Sequence, residues 1–99
     1  MYYYAVSYEY NPNNPEIEKN RPAHRRFISR LDNRGCVLGS GPHTDSKGGA
    51  LIVLKFEKEL PVSEVMTIMD EDPFFANGCI TGRTFRAWNP VIGSAVATS

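Results

Sequence analysis

His24 is the side chain in this sequence best suited to move a proton near neutral pH. It opens an apolar series that continues at spacings of three, four and seven residues, through Phe27, Ile28 and Leu31. This spacing predicts the inward-facing side of a helix, with His24 near the start of that helix. A histidine there is either a general acid or base in a cleft, or a partly buried side chain whose ring nitrogens bind backbone carbonyls. The residues alone leave both interpretations open.

Asp72 is the carboxylate that could act with His24. It is the last of three consecutive acids in the segment DEDPFF, residues 70–75, where Pro73 restricts its backbone and Phe74 makes its flank apolar. The two acids before it are instead expected to form a solvated helix end, unfavourably placed against the helix dipole. A carboxylate that is hydrogen-bonded to an imidazole orients the ring and favours its protonated form, as acid–base catalysis requires. We predict that His24 and Asp72 share a hydrogen bond; the alternative is a structural histidine and a helix-ending aspartate.

Other residues are candidates for binding a substrate beside this pair. Arg21, three residues before His24, could hold a substrate carboxylate through two hydrogen bonds or could lie in water. A Gly-Pro turn is predicted at the end of the second strand, and the aromatic pair after Pro73 is expected to fill core or line a pocket wall. The substrate-binding candidates are Arg21, Ser40, Gly41, Pro42 and Phe74. His43, in the following glycine-rich loop, is a weaker second candidate for acid–base work.

The remaining aromatic and sulfur-containing side chains are assigned structural roles. Tyr2 and Tyr4 are predicted to be interface aromatics rather than acids. Cys36 and Cys79 have neither CxxC nor mixed Cys/His ligand spacing, which favours two reduced thiols in a cytoplasmic protein. The sequence leaves a single disulfide between them as the alternative.

Composition excludes several classes of function. A chain of 99 residues forms one domain, and its 11 basic and 11 acidic residues provide no basic stripe for nucleic acid or an anionic membrane. The N-terminal sequence MYYYAVSYEY has neither a basic region nor a long apolar run, so we expect no signal peptide and no membrane span. No phosphate loop, HExxH or dinucleotide fingerprint is present, and we therefore expect no metal and no cofactor.

The hydrophobic pattern predicts the elements that must position these side chains. Residues 2–8 alternate as a strand does, and a helix then runs to about residue 34, where Gly35 suits the left-handed position after it. Further elements are a strand at 36–42, a strand at 50–56, a helix at 62–69 that Pro73 ends, and a strand at 80–88. The order β-α-β-β-α-β predicts an α+β protein with a ferredoxin-like, four-stranded antiparallel sheet and two helices on one face.

The strand at residues 50–56 predicts an assembly. It is apolar at six of seven positions, which indicates burial on both sides, yet two helices cover only one face of a four-stranded sheet. The simplest cover for the bare face is a second copy, giving a homodimer or a larger oligomer. We expect a domain over residues 1–90 and a tail over residues 91–99 that could reach across to the partner.

Three segments in order resemble the YciI-like family of small α+β barrel proteins: RPAHRRFISRLDNRGCVLGSGP, then DEDPFFANG, and the closing RAW. Relatives of that family include muconolactone isomerase and chloromuconolactone dehalogenase. The resemblance spans nearly the whole chain to Pro90 and implies a dimeric α+β barrel with a conserved histidine and aspartate in a cleft. Those roles fall on His24 and Asp72, with Arg21 and residues 40–42 nearby.

The resemblance implies two functions of different classes. The first is a small-molecule enzyme, of the lactone isomerase or dehalogenating lyase type, in which His24 and Asp72 transfer protons. The second is a non-catalytic module whose cleft holds a small organic acid. The sequence does not separate them, because no residue in it names a substrate.

Overall fold

A computed structural model describes residues 1–96, which form one four-stranded sheet with helices packed on one of its faces. The elements in chain order are β1 (Tyr2–Glu9), α1 (Pro15–Asn33), β2 (Val37–Pro42), β3 (Ala50–Phe56), α2 (Val62–Met69), α3 (Pro73–Ala76) and β4 (Gly82–Trp88). Within these residues no helix is long and apolar enough to cross a membrane. The last three residues of the predicted tail, 97–99, lie outside the described residues.

The sheet has the strand order β2-β3-β1-β4, and every neighbouring pair is antiparallel. This arrangement confirms the ferredoxin-like α+β fold, with β3 and β1 in the centre and β2 and β4 at the edges. Its one addition to the predicted order is α3, a helix of four residues. The last strand begins at Gly82 rather than at residue 80.

The alternation of β1 decides which tyrosines face the helices. Tyr4, Val6 and Tyr8 point to the helices and belong to the core. Tyr4 was predicted to be an interface aromatic, and this is wrong, because its side chain is buried in the core of the single chain and its hydroxyl donates to the Leu60 carbonyl at 2.7 Å. Tyr3 points to the opposite face, where its ring meets Trp88 edge-on.

Helix α1 begins earlier than the apolar series suggested. The Asn14 side chain accepts a hydrogen bond from the Glu16 amide, and Pro15 occupies the first turn, where its missing N–H costs nothing. His24 therefore lies in the middle of α1 and not at its start, so the helix N-terminus is too distant to act on the imidazole. Gly35 has a φ of 78°, as expected after the helix end.

The predicted Ser40-Gly41-Pro42 turn is wrong. These residues continue β2, and Pro42 pairs with Ala50 of β3. Proline is tolerated there because β2 is an edge strand, whose outward N–H positions need no partner. The chain reverses later, where the His43 amide donates to the Gly49 carbonyl at 2.8 Å.

Helix α2 buries half of its predicted apolar face. Val65 and Met69 are buried, whereas Val62 and Met66 remain exposed. Pro73 was predicted only to end this helix, but it is also the first residue of α3. A proline serves both purposes, since it disfavours helix in the residue before it and suits a first helical turn.

The face of the sheet opposite the helices carries apolar side chains. Leu51 on β3 and Trp88 on β4 are 40% and 47% exposed in the single chain, and Tyr3 lies between these strands on β1. The β3 side chains that face the helices are consequently more buried than those on the opposite face.

Candidate active site

His24 and Asp72 contact each other beneath the surface. Nδ1 of His24 lies 2.8 Å from Oδ2 and 3.0 Å from Oδ1 of Asp72. Asp72 is fully buried and His24 is 7% exposed, so water does not compete for the contact. The structure therefore brings together the two side chains that the sequence proposed as a pair, from α1 and from the start of α3.

Asp72 lies there because it caps a helix. It is the N-cap of α3, and its Oδ1 accepts the Phe74 amide hydrogen at 3.0 Å. Of the three consecutive acids, only this one is turned inward: Glu71 is exposed, and half-exposed Asp70 accepts a hydrogen bond from Arg83 at 2.7 Å. Asp70 is thus paired, although it was expected to be merely solvated.

Tyr8 is a member of the site that the sequence analysis missed. Its buried hydroxyl donates to Asp72 Oδ2 at 2.8 Å. Burial, followed by the negative charge of Asp72 and the hydrogen bond to it, raises the pKa of Tyr8 far above the ordinary value of 10.0. Tyr8 is therefore a fixed proton donor to the carboxylate. The period-two pattern of β1 predicted an inward-pointing ring, but no local signal connected it with Asp72.

Phe74 covers one face of the imidazole. The two rings are nearly parallel, with an interplanar angle of 12° and centroids 4.2 Å apart. Phe74 is buried, and it also lines the cleft next to His24. Phe75, expected to share this role, points outward, and the Arg83 guanidinium lies 3.5 Å from its ring centroid.

A cleft of about 390 Å³ opens beside His24, between α1 and the adjoining ends of β2 and β3. Its lining contains all the predicted substrate-binding residues, namely Arg21, Ser40, Gly41, Pro42 and Phe74. Nε2 of His24 has no hydrogen-bond partner within residues 1–96 and is not enclosed by protein. Because an ionised Asp72 takes the hydrogen on Nδ1, Nε2 is the nitrogen that His24 offers to the cleft.

The mouth of the cleft is positively charged. Arg21 and Arg25, four residues apart on α1, both line it, and neither forms a salt bridge in the part of the chain that the structure describes. Among residues 1–96, no acidic side chain lines the cleft. Arg25 was not among the predicted residues, although its spacing from Arg21 on a helix was a usable signal.

His43 does not join this cleft. It lines a larger cavity of about 620 Å³ formed by the β2–β3 loop and the end of β1, where its charged neighbours are Glu9, Asp45 and Lys47. These side chains are exposed, and none of them is held by a buried partner as His24 is. We therefore place the candidate chemistry in the smaller cleft. No group of three His, Cys, Asp or Glu side chains within residues 1–96 is arranged to hold a metal ion.

A family model described as the YCII-related domain matches residues 1–89. The chain belongs to the YCII-related family. The predicted YciI-like family is therefore confirmed, and the match includes every element that builds the cleft of this YCII-related protein. A search of the curated proteins found no match by sequence.

A solved structure shares the fold of this YCII-related protein. It is 5-chloro-2-hydroxyhydroquinone dehydrochlorinase (TftG) from Burkholderia phenoliruptrix AC1100, in complex with 2,5-dihydroxybenzoquinone. The two chains superpose with a TM-score of 0.70 over 88% of this chain and 93% of the other, at 19% sequence identity. The likeness is one of fold.

Proposed function

We propose that this protein is an enzyme that transfers a proton to or from a small, acidic organic molecule, with His24 as the acid–base group. The observation that carries the proposal is the pairing of a buried carboxylate with one imidazole nitrogen while the other nitrogen faces a cleft. Asp72 would hold the ring in one tautomer and stabilise it when it is charged. Family membership and the fold shared with a dehydrochlorinase support an enzyme.

The arginines suggest the class of substrate. Within the described part of the chain the two guanidinium groups form no salt bridge and no acidic side chain lines the cleft, which favours an anionic ligand such as a carboxylate or an enolate. Desolvation at a cleft of about 390 Å³ would strengthen these contacts. Lactones that carry a free carboxylate, enol acids and hydroxylated quinones all belong to this class.

The chemistry starts with removal of a proton from a carbon next to a carbonyl group by Nε2 of His24. The electron pair of the C–H bond moves toward the carbonyl oxygen, and Arg21 or Arg25 would stabilise the resulting enolate. Return of the proton at another carbon gives isomerisation. If the neighbouring carbon carries chlorine, the electron pair instead forms a C=C bond, the C–Cl bond breaks and chloride leaves, while His24 keeps the proton.

The alternative is a binding module without turnover. The His24–Asp72 contact also joins α1 to α3, so stability alone could account for it. In that case the cleft would hold a small organic acid and release it unchanged.

A substrate panel with matched variants separates the two functions. The panel contains lactones, enol acids and chlorinated hydroxyhydroquinones, the last because the structural relative is named for one. We expect turnover of at least one compound by the wild type and by His43→Gln, and a loss of roughly 100-fold or more in His24→Gln. Saturable binding with no turnover of any compound would favour the module. Equal turnover by wild type and His24→Gln would contradict the proposed role of His24.

We also propose that two copies pair through the bare sheet face and that larger assemblies, if formed, are built from this dimer. The exposed apolar side chains on β3 and β4 support the pairing, since water is an unfavourable environment for such a patch. A cytoplasmic location remains a prediction from the two thiols, both of which are free in the described residues.

A further inference from the structure

The hydroxyl of Tyr8 is a buried side-chain group that touches the His24–Asp72 pair without lining the cleft. Its donor distance to Asp72 Oδ2 is 2.8 Å, and the side chain is almost entirely enclosed. Tyr8 does not line the His24 cleft, so it would not touch a ligand bound there. Its contact with the site is through the carboxylate.

The carboxylate of Asp72 is anchored at both oxygens. Oδ1 accepts from the Phe74 amide at 3.0 Å, and Oδ2 accepts from Tyr8 at 2.8 Å. Nδ1 of His24 lies within hydrogen-bond distance of both oxygens, at 3.0 and 2.8 Å. A rotation of the carboxylate about its Cβ–Cγ bond would break one anchor, so the two anchors together fix the direction in which His24 is held.

We propose that Tyr8 is a positioning residue for the His24–Asp72 pair: its hydroxyl holds the Asp72 carboxylate in one orientation, so that Nε2 of His24 stays directed at the cleft. The catalytic meaning of this arrangement rests on the proposed function. The arrangement itself does not, because it concerns the free protein.

The charged surroundings are consistent with this role. Arg21 and Arg25 line the same cleft as His24, and Arg83 and Asp70 are the charges that act on Tyr8 besides Asp72. The raised pKa of Tyr8, caused first by burial, keeps the phenol protonated throughout the range in which an imidazole titrates. The hydroxyl therefore remains a donor whether His24 is charged or neutral.

The test compares two tyrosines of the same strand. Tyr8→Phe removes the hydroxyl that binds Asp72, and Tyr4→Phe removes a hydroxyl that binds only the backbone of Leu60, from a side chain of similar burial. NMR titration of the ring signals is simple because the chain has two histidines, which His43→Gln assigns. We expect the titration midpoint of His24 to rise by roughly half a pH unit in Tyr8→Phe, because Oδ2 then interacts with the imidazolium alone, and to stay unchanged in Tyr4→Phe.

Equal midpoints in wild type and Tyr8→Phe, or equal shifts in both variants, would overturn the proposal. If Tyr8→Phe does not fold, the hydroxyl proton signal of Tyr8 in the wild type tests the proposal instead. This proton should exchange slowly and shift as His24 titrates, and a hydroxyl signal that ignores this titration would overturn the proposal as well. None of these readouts needs a substrate, so absence of turnover would remove the proposed function while leaving the positioning role intact.

Discussion

Phe74 stacks on the ring of His24, and it stands two residues after Asp72, which binds the edge of that ring. One short helix thus controls the imidazole in two directions: its N-cap carboxylate directs the ring within its plane, and its second residue restricts motion perpendicular to that plane. Because Asp72 also accepts the Phe74 amide hydrogen, a shift of α3 would move both contacts together. The geometry of the site is therefore coupled to the integrity of a single helical turn.

Asp72 should dominate the stability of this region. Asp72→Ala removes the cap of α3 and leaves the Tyr8 hydroxyl and the His24 ring without their partner, for an expected loss of about 3 kcal/mol in the free energy of unfolding. Glu71→Ala is the control, since that side chain is exposed and should change stability by less than about 0.5 kcal/mol. Urea unfolding followed by circular dichroism measures both values. Equal losses would show that Asp72 contributes nothing beyond an exposed acid.

The contribution of Tyr8 to stability should be measurable at alkaline pH. The pKa of Tyr8 is raised in the folded protein above 10.0, so its contribution to stability is complete below that pH and is lost as the pH rises further. Above pH 10, the free energy of unfolding of the wild type should fall more steeply than that of Tyr8→Phe, by up to about 1.4 kcal/mol per pH unit. Phenolate absorbance checks that Tyr8 is the group responsible. Because native Tyr8 should stay protonated, the native wild type and native Tyr8→Phe should ionise the same number of phenols up to about pH 11. One additional phenolate in the native wild type would contradict the assignment.

The patterns that singled out His24 and Asp72 as candidates were local ones. They are the apolar series after His24 and the Asp72-Pro73 step, and the alternation of β1 is local in the same way. Each involves a few adjacent residues, whose backbone preferences do not depend on tertiary contacts. The short helix α3 could have been found in the same way, because an aspartate followed by proline is an N-cap and first-turn signature as well as a stop.

The parts that escaped prediction depend on tertiary contacts. Tyr8 and Asp72 are 64 residues apart, and nothing in either segment specifies that α3 covers that part of β1. Pro42 was misplaced for a similar reason: a proline suits both a turn and an edge strand, and only the strand order decides between them. The position of His24 within α1 followed from the cap at Asn14, which lies outside the apolar series.

The two arginines at the cleft should bind the acidic group of a ligand. Arg21→Ala and Arg25→Ala should each weaken the affinity for the best acidic compound of the panel by about tenfold, since each removes a hydrogen bond to a charged group. Arg26→Ala is the matched control, because Arg26 lies on α1 and is exposed but does not line the cleft. Calorimetric titration measures the affinities, which should also fall with added salt. Equal weakening by all three substitutions would indicate a general charge effect and no specific site.

The two cysteines should differ in reactivity. Cys79 is buried, and burial together with the charge of Glu16 raises the pKa of its thiol, whereas Cys36 is only half-buried. At pH 8, an aromatic disulfide reagent should modify Cys36 quickly and Cys79 only after unfolding, because the thiolate is the reacting form. Cys36→Ser should remove the fast phase, and Cys79→Ser should leave it in place. A fast phase that survives in Cys36→Ser would contradict this order.

Trp88 should report the pairing of two copies. It is the only tryptophan of the chain, and 47% of it is exposed on the bare sheet face of a single copy. If a second copy covers that face, dilution should move the tryptophan emission to longer wavelength as the dimer dissociates. Leu51→Lys places a charge on the same face and should give a monomer in sedimentation, with emission like that of the diluted wild type. Met66→Lys is the control, because Met66 on α2 is 39% exposed, almost the same as the 40% of Leu51, but lies on the helical side. Dissociation by Met66→Lys and not by Leu51→Lys would assign the interface to the helices instead of the sheet.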